Sequence, residues 1–110
     1  NNYCLMKPIK FFYLIIIIYQ SIILPAKSDA IFEKGKDIFL NAGACSGCHT
    51  LADAGSEGQI GPNLNEIRPD KDRVIIAVTN GIGVMPSYEG QLTIEEIEFV
   101  AHYVSVSSNK

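Results

Sequence analysis

The sequence predicts an all-α domain of three to four helices, set behind an apolar leader. Three observations point there. Three stretches repeat their apolar residues with a helical period and carry recognisable start and stop residues. No stretch alternates apolar and polar residues with the period of two that a half-buried strand requires. The apolar residues are also unevenly spread: residues 1–30 hold 19 of them, against 33 in the 80 residues that follow. The apolar excess therefore belongs to the leader and not to the domain behind it.

The first helix is expected over Ile31–Asn41, where Ile31, Phe32, Ile38 and Phe39 form two apolar pairs a helical spacing apart. Ser28 or Asp29 can cap it, and Ala42-Gly43 ends it. The second is expected over Asp70–Asn80, between Pro69 and Gly81, with Val74, Ile75 and Val78 on one face. The third is expected over Ile94–Ser105. Thr93 followed three residues later by Glu96 makes a capping box, and Glu95 and Glu96 suit the positive end of the helix dipole. Ile94, Ile97, Val100, Ala101 and Val104 then form a stripe of helical period. From Cys45 to Asp70 the chain holds four glycines and two prolines and reads as loop with at most a turn of helix. Ser105–Lys110 reads as a frayed polar tail. Loops this long in a domain of about 80 residues call for an explanation, and a large ligand wrapped by the chain supplies one.

The leader has the order of a secretory signal. Lys7 and Lys10 precede the 14-residue run Phe11–Leu24, Pro25 breaks it, and Ser28 and Ala30 put small residues at −3 and −1 of a cleavage site. Residues 1–30 are thus read as a signal peptide starting at Met6, with Asn1–Leu5 and its Cys4 as an overhang, and residues 31–110 as a domain exported to the periplasm. Fourteen residues interrupted by Gln20-Ser21 fall short of the ~20 needed to span a bilayer. An uncleaved membrane anchor is the alternative, and it leaves the domain on the same side. Charge divides at the same point, +2 over residues 1–30 and −5 over residues 31–110. An acidic domain excludes a nucleic-acid binder, which needs a basic face for phosphates. It is expected to meet partners with basic docking faces, in an association that slows with salt.

Cys45-Ser46-Gly47-Cys48-His49 carries the chemistry. The spacing C-x-x-C-H is the attachment signature for c-type haem. Two thiols in one tight turn can bond to the two haem vinyl groups, and the next residue brings an imidazole to the iron as proximal ligand. A thioredoxin-type redox pair would need a βαβ context, and a zinc site would need more ligands than His102 alone. A plain disulfide between Cys45 and Cys48 is the third alternative, open to an exported chain.

The second axial ligand has two candidates. Met85 lies in Gly81-Ile-Gly-Val-Met85-Pro86, a glycine-rich bend that can hold a thioether over the haem. His102 falls about 140° round its helix from Ile97, off the apolar stripe, and is expected to face solvent. Met85 is preferred. Gly61-Pro62-Asn63-Leu64 offers a rigid carbonyl at Pro62 for the second N–H of a proximal imidazole, with Leu64 as a cover for the haem or a core residue.

Together these motifs resemble the class I c-type cytochromes, in their small single-haem bacterial and photosynthetic forms. The resemblance covers nearly all of Phe32–Val104: Gly35-Lys-Asp-Ile-Phe39, Cys45–His49, Gly61–Leu64, Met85-Pro86 and the last helix, Leu92–Tyr103, stand in the family's order. It implies the small cytochrome c fold around one covalent haem c. It also implies that the first and last helices cross at Gly35, with Phe39 against Val100 and Tyr103. By resemblance Cys45 and Cys48 are thioether anchors, His49 and Met85 the axial ligands, and Pro62 the carbonyl partner of His49. Thr50–Ile60 departs from the family pattern. The expected function is a monomeric periplasmic electron carrier, not an enzyme, exchanging electrons with redox proteins through an exposed haem edge. The alternatives are a haem subunit docked to a periplasmic dehydrogenase or oxidase, and a haem-based ligand sensor.

Overall fold

The computed structural model describes residues 27–110, so the expected signal peptide lies outside the described residues except for its last four. Four helices follow in order: α1 (Lys27–Leu40), α2 (Leu64–Ile67), α3 (Lys71–Asn80) and α4 (Ile94–Ser107). Between α1 and α2 lie a single 3₁₀ turn at Cys45–Gly47 and a small antiparallel hairpin, β1 (Thr50–Leu51) and β2 (Ser56–Glu57), closed by a second 3₁₀ turn at Ala52–Ala54. None of the helices among the described residues is long and apolar enough to cross a membrane.

The helix ends follow local chemistry. Asp70 caps α3 by accepting from the Arg73 amide at 2.8 Å. Thr93 and Glu96 exchange side-chain and backbone bonds, each 3.1 Å, and complete the expected capping box of α4. Asn63 caps the short α2, which the sequence leaves inside a loop. Among the described residues α1 is already helical at Lys27, so Asp29 lies within the helix and does not cap a start at Ile31. Lys27–Ala30 are all exposed, so among the described residues cleavage after Ala30 would remove no buried one.

α1 and α4 make the most extensive packing, and α3 packs on α4. The crossing of α1 and α4 is set by Gly35. A Cβ there would stand 2.6 Å from the Tyr103 Cβ and press into the Phe99 backbone. Around it Phe32 and Phe39 meet the Tyr103 ring edge-on, at centroid distances of 4.9 and 5.7 Å. Phe39, Val100, Ala101 and Tyr103 are almost completely buried. The apolar stripe of α4 begins at Ile97, however, because Ile94 at the helix start is 84% exposed, beyond the edge of the core.

Two stretches read as loop or tail are ordered. The hairpin strands are two residues each, too short for alternation to register, and Ser56 completes them by accepting from the Leu51 amide at 3.1 Å. The C-terminal tail is not frayed. Ser107 and Ser108 are buried because their hydroxyls return bonds to helix carbonyls, Ser107 Oγ to Tyr103 O at 2.6 Å and Ser108 Oγ to Ser105 O at 3.5 Å. Lys110 then places its ammonium 4.3 Å from the Phe32 ring centroid and 3.4 Å from Asp53 Oδ1. Asp53, in the departing segment Thr50–Ile60, also accepts from Tyr103 Oη at 2.9 Å and pairs with Lys36 at 3.4 Å. That segment therefore fastens α1, α4 and the C-terminus together.

Two variants of the haem-loaded protein check this packing in chemical denaturation. Gly35→Ala is expected to lose about 2–4 kcal/mol, since neither backbone nor Cβ neighbours can yield. Asp53→Asn is expected to lose about 1 kcal/mol at neutral pH. Partial burial raises the Asp53 carboxyl, but the Tyr103 hydrogen bond and the two lysines outweigh it and hold it below the ordinary value of 3.8. Its contribution is thus complete above that value and fades as pH falls through the lowered folded value. Asp53→Asn should flatten the acid limb of the stability curve in that window.

Candidate haem site

The motif turn is built by backbone bonds. Ala44 adopts a left-handed conformation (φ 49°) and starts the 3₁₀ turn, and the Cys48 and His49 amides both donate to Cys45 O, at 3.1 and 2.9 Å. Two glycines let other strands of backbone lie against it. At Gly43 a Cβ would be 2.9 Å from Cys45 Sγ, and at Gly58 one would be 2.6 Å from the Cys48 carbonyl carbon.

His49 is held by the next loop. Gly61 N donates to Cys48 O at 2.7 Å, and the Pro62 carbonyl lies 2.8 Å from His49 Nδ1. A carbonyl only accepts, so Nδ1 carries the proton and Nε2 is left with its lone pair. Gly61 is fixed by the same contact: a Cβ there would stand 2.5 Å from His49 Cε1 and 2.8 Å from Nδ1. The motif alone does not reveal that the imidazole packs close against the Gly61 backbone.

The distal loop leaves α3 at Gly81 (φ 74°), where a Cβ would meet Met85 O at 2.7 Å. Ile82 and Met85 bond each other's backbone across the bend, at 3.1 and 2.9 Å. Tyr88 then ties this loop to the proximal side. Its amide donates to Val78 O at 2.9 Å and its hydroxyl to Gly43 O at 2.6 Å, two residues before Cys45. Sequence pattern gives no sign of this tie, because it joins positions 45 residues apart.

These loops enclose a cavity of about 540 Å³. Cys45, Cys48, His49, Pro62, Leu64 and Met85 all line it, whereas His102 does not. His102 is half-buried on α4, less open to solvent than expected. Phe39, Val74, Val78, Val100 and Val104 complete an apolar wall, and Leu64 belongs both to that wall and to the core. On the rim Ile60, Ile67, Ile82 and Val84 are 43–85% exposed, apolar surface that a large planar ligand would cover. Apolar walls, an imidazole nitrogen, a thioether and two thiols fit haem c.

The thiols also speak against disulfide exchange. Cys45 and Cys48 are both free. Burial, against a smaller lowering by a backbone hydrogen bond, pushes the Cys45 thiol up to about 11, so at neutral pH it is a neutral thiol. An exchange cysteine needs the opposite, a thiolate at neutral pH. Burial, with the neighbouring Cys45 and Cys48, likewise raises the Tyr88 hydroxyl, which therefore stays a donor to Gly43.

Comparison with known proteins agrees with this geometry. The family described as "Cytochrome C oxidase, cbb3-type, subunit III" matches residues 30–104. Cytochrome c6 of Microcystis aeruginosa is 41% identical over 39 residues, which are 36% of this chain and 48% of that protein. The shared stretch thus spans about half the length of that relative. The crystal structure of the c-type cytochrome SorU from Sinorhizobium meliloti superposes with a TM-score of 0.71 at 52% identity, covering 74% of this chain and 95% of that one. Matched over most of its described length in both sequence and fold, the chain belongs to the class I c-type cytochromes and carries covalently bound haem c.

Proposed function

We propose that this chain is a single-haem electron carrier of the periplasm, with His49 and Met85 as axial ligands. One observation carries the reading: His49, its tautomer fixed by the Pro62 carbonyl, and Met85, the one methionine after the leader, line the same cavity. Haem c supplies a one-electron iron centre. Cys45 and Cys48 would hold the group covalently through thioether bonds to its two vinyl groups. His49 would hold the metal through Nε2, while Pro62 keeps the proton on Nδ1, which orients the ring and raises its basicity. Leu64 and the valines of α3 and α4 would exclude water, which would disfavour a ferric charge there and raise the potential.

With His49 and Met85 both holding the metal, no position would be left for a substrate, and electrons would pass by outer-sphere transfer at the haem edge. Redox proteins with basic faces suit the acidic domain, whose exposed carboxylates include Glu33, Asp37, Glu57, Glu66 and Glu89. Export rests on the leader, residues 1–30, read as a cleaved signal. The family description favours one second reading, a haem subunit delivering electrons to a terminal oxidase. A retained leader on the purified protein would select it; a protein beginning near Ile31 selects the diffusing carrier.

Optical spectra of the haem-loaded protein test the ligation. Low-spin bands with the weak red-end band of Met-to-ferric-iron ligation are expected, and Met85→Leu should abolish that band; high-spin bands in the unaltered protein would overturn the assignment. Tyr88→Phe removes the hydroxyl that fastens the distal loop to Gly43. Loss of one hydrogen bond of about 1 kcal/mol should let imidazole displace the Met85 thioether at roughly fivefold lower concentration, read from the same red-end band.

A further inference from the structure

The cavity lining holds one permanently charged side chain, Arg73, in the first turn of α3. Its amide is used by the Asp70 cap, but its guanidinium makes no ion pair among the described residues. The neighbouring cation on the same helix, Lys71, is paired with Glu98 at 2.6 Å and is not part of the lining. Arg73 is therefore a free, exposed cation at the mouth of an otherwise apolar cleft.

Haem brings two carboxylates to such a cleft. Its propionates lie on the ring edge remote from the vinyl groups, and Cys45 and Cys48 fix the vinyl edge. The turn that carries the cysteines packs on α1 and β2, whereas α3 packs on α4, so Arg73 approaches from a different wall. A carboxylate against an apolar wall is costly unless paired, and the guanidinium fork matches it with two parallel N–H···O bonds. No other cation in the lining competes.

We propose that Arg73 binds one haem propionate at the cavity rim and holds it ionised, leaving the second propionate to solvent. The proposal rests on haem lying between His49 and Met85 in this cavity. The remaining ionisable groups of the lining are Cys45, Cys48, His49 and Tyr88. The first two are consumed as thioethers, His49 faces the metal, and Tyr88 donates to Gly43. The Asp70 cap, Lys71 and Asp72 of α3 and Glu95, Glu96, Glu98 and His102 of α4 lie outside the lining.

The test compares reduction potentials across the neutral and acidic range for the unaltered protein, Arg73→Gln, Arg73→Lys and Lys71→Gln. A nearby cation lowers a carboxyl pKa by about one to three units. Arg73→Gln should therefore raise the proton affinity of the propionate about tenfold or more, moving the inflection of potential against pH upward by at least about one unit. Arg73→Lys should fall between, and Lys71→Gln, which removes the same charge from the same helix, should not move the inflection. Coincident profiles for Arg73→Gln and the unaltered protein, or equal shifts in Arg73→Gln and Lys71→Gln, would overturn the proposal. If Arg73→Gln loads no haem, Arg73→Lys decides: its inflection must exceed that of the unaltered protein. The optical spectrum in the same cell reports axial ligation separately, so a failure of the His49/Met85 reading is told apart from a failure of the propionate contact.

Discussion

α1 and α4 approach each other at Gly35 more closely than any side chain would permit, and much of the cavity follows from that contact. α1 contributes Phe39 to the cavity wall and delivers the cysteine turn at its end; α4 contributes Val100 and Val104. If the helices stood further apart, Tyr103 would no longer meet both Phe32 and Phe39, and its hydroxyl would lose reach of Asp53. A Cβ at one position thus bears on the core, the hairpin latch and the cofactor cleft together.

The elements best legible in the sequence were those whose signals are local. The capping box at Thr93/Glu96, the Asp70 cap and the C-x-x-C-H spacing each lie within a few residues, so pattern suffices to find them. The three long helices follow from their periods, to within a turn at their ends. What pattern could not show depends on which residues the folded chain covers. The hairpin at Thr50–Glu57 exists because Ser56 and its neighbours pair locally under cover of α2, with Asn65 Oδ1 accepting from the Ala52 amide at 2.8 Å. The serines of the tail are polar by type yet buried, because a short hydroxyl can return its bond to its own helix. Ile94 shows the reverse, an apolar residue in perfect period that lies past the end of the core.

The site divides the same way. All six candidate residues line one cavity, and the contact between Pro62 O and His49 Nδ1 lies at 2.8 Å. Two further residues give that arrangement its shape, Gly61 by its close approach to the imidazole and Tyr88 by spanning from the distal loop to Gly43. Neither belongs to a motif with that meaning. Each acts through a backbone approach that only the folded chain creates. Arg73 was equally invisible, since a basic residue in a helical first turn reads as solvated surface until the cleft beside it is seen.

The bond from Tyr88 to Gly43 has a consequence for kinetics. It closes a loop of covalent and hydrogen bonds that runs from the Gly43 carbonyl through Cys45 and His49 on one side and back through Met85 on the other. In the proposed ligation, both donors would thereby be clamped to hydrogen-bonded backbone. A metal centre whose neighbours keep their positions in both oxidation states has little nuclear rearrangement to complete before an electron can leave. Stiffness of that kind would lower the reorganisation energy of transfer, separately from any effect on the driving force.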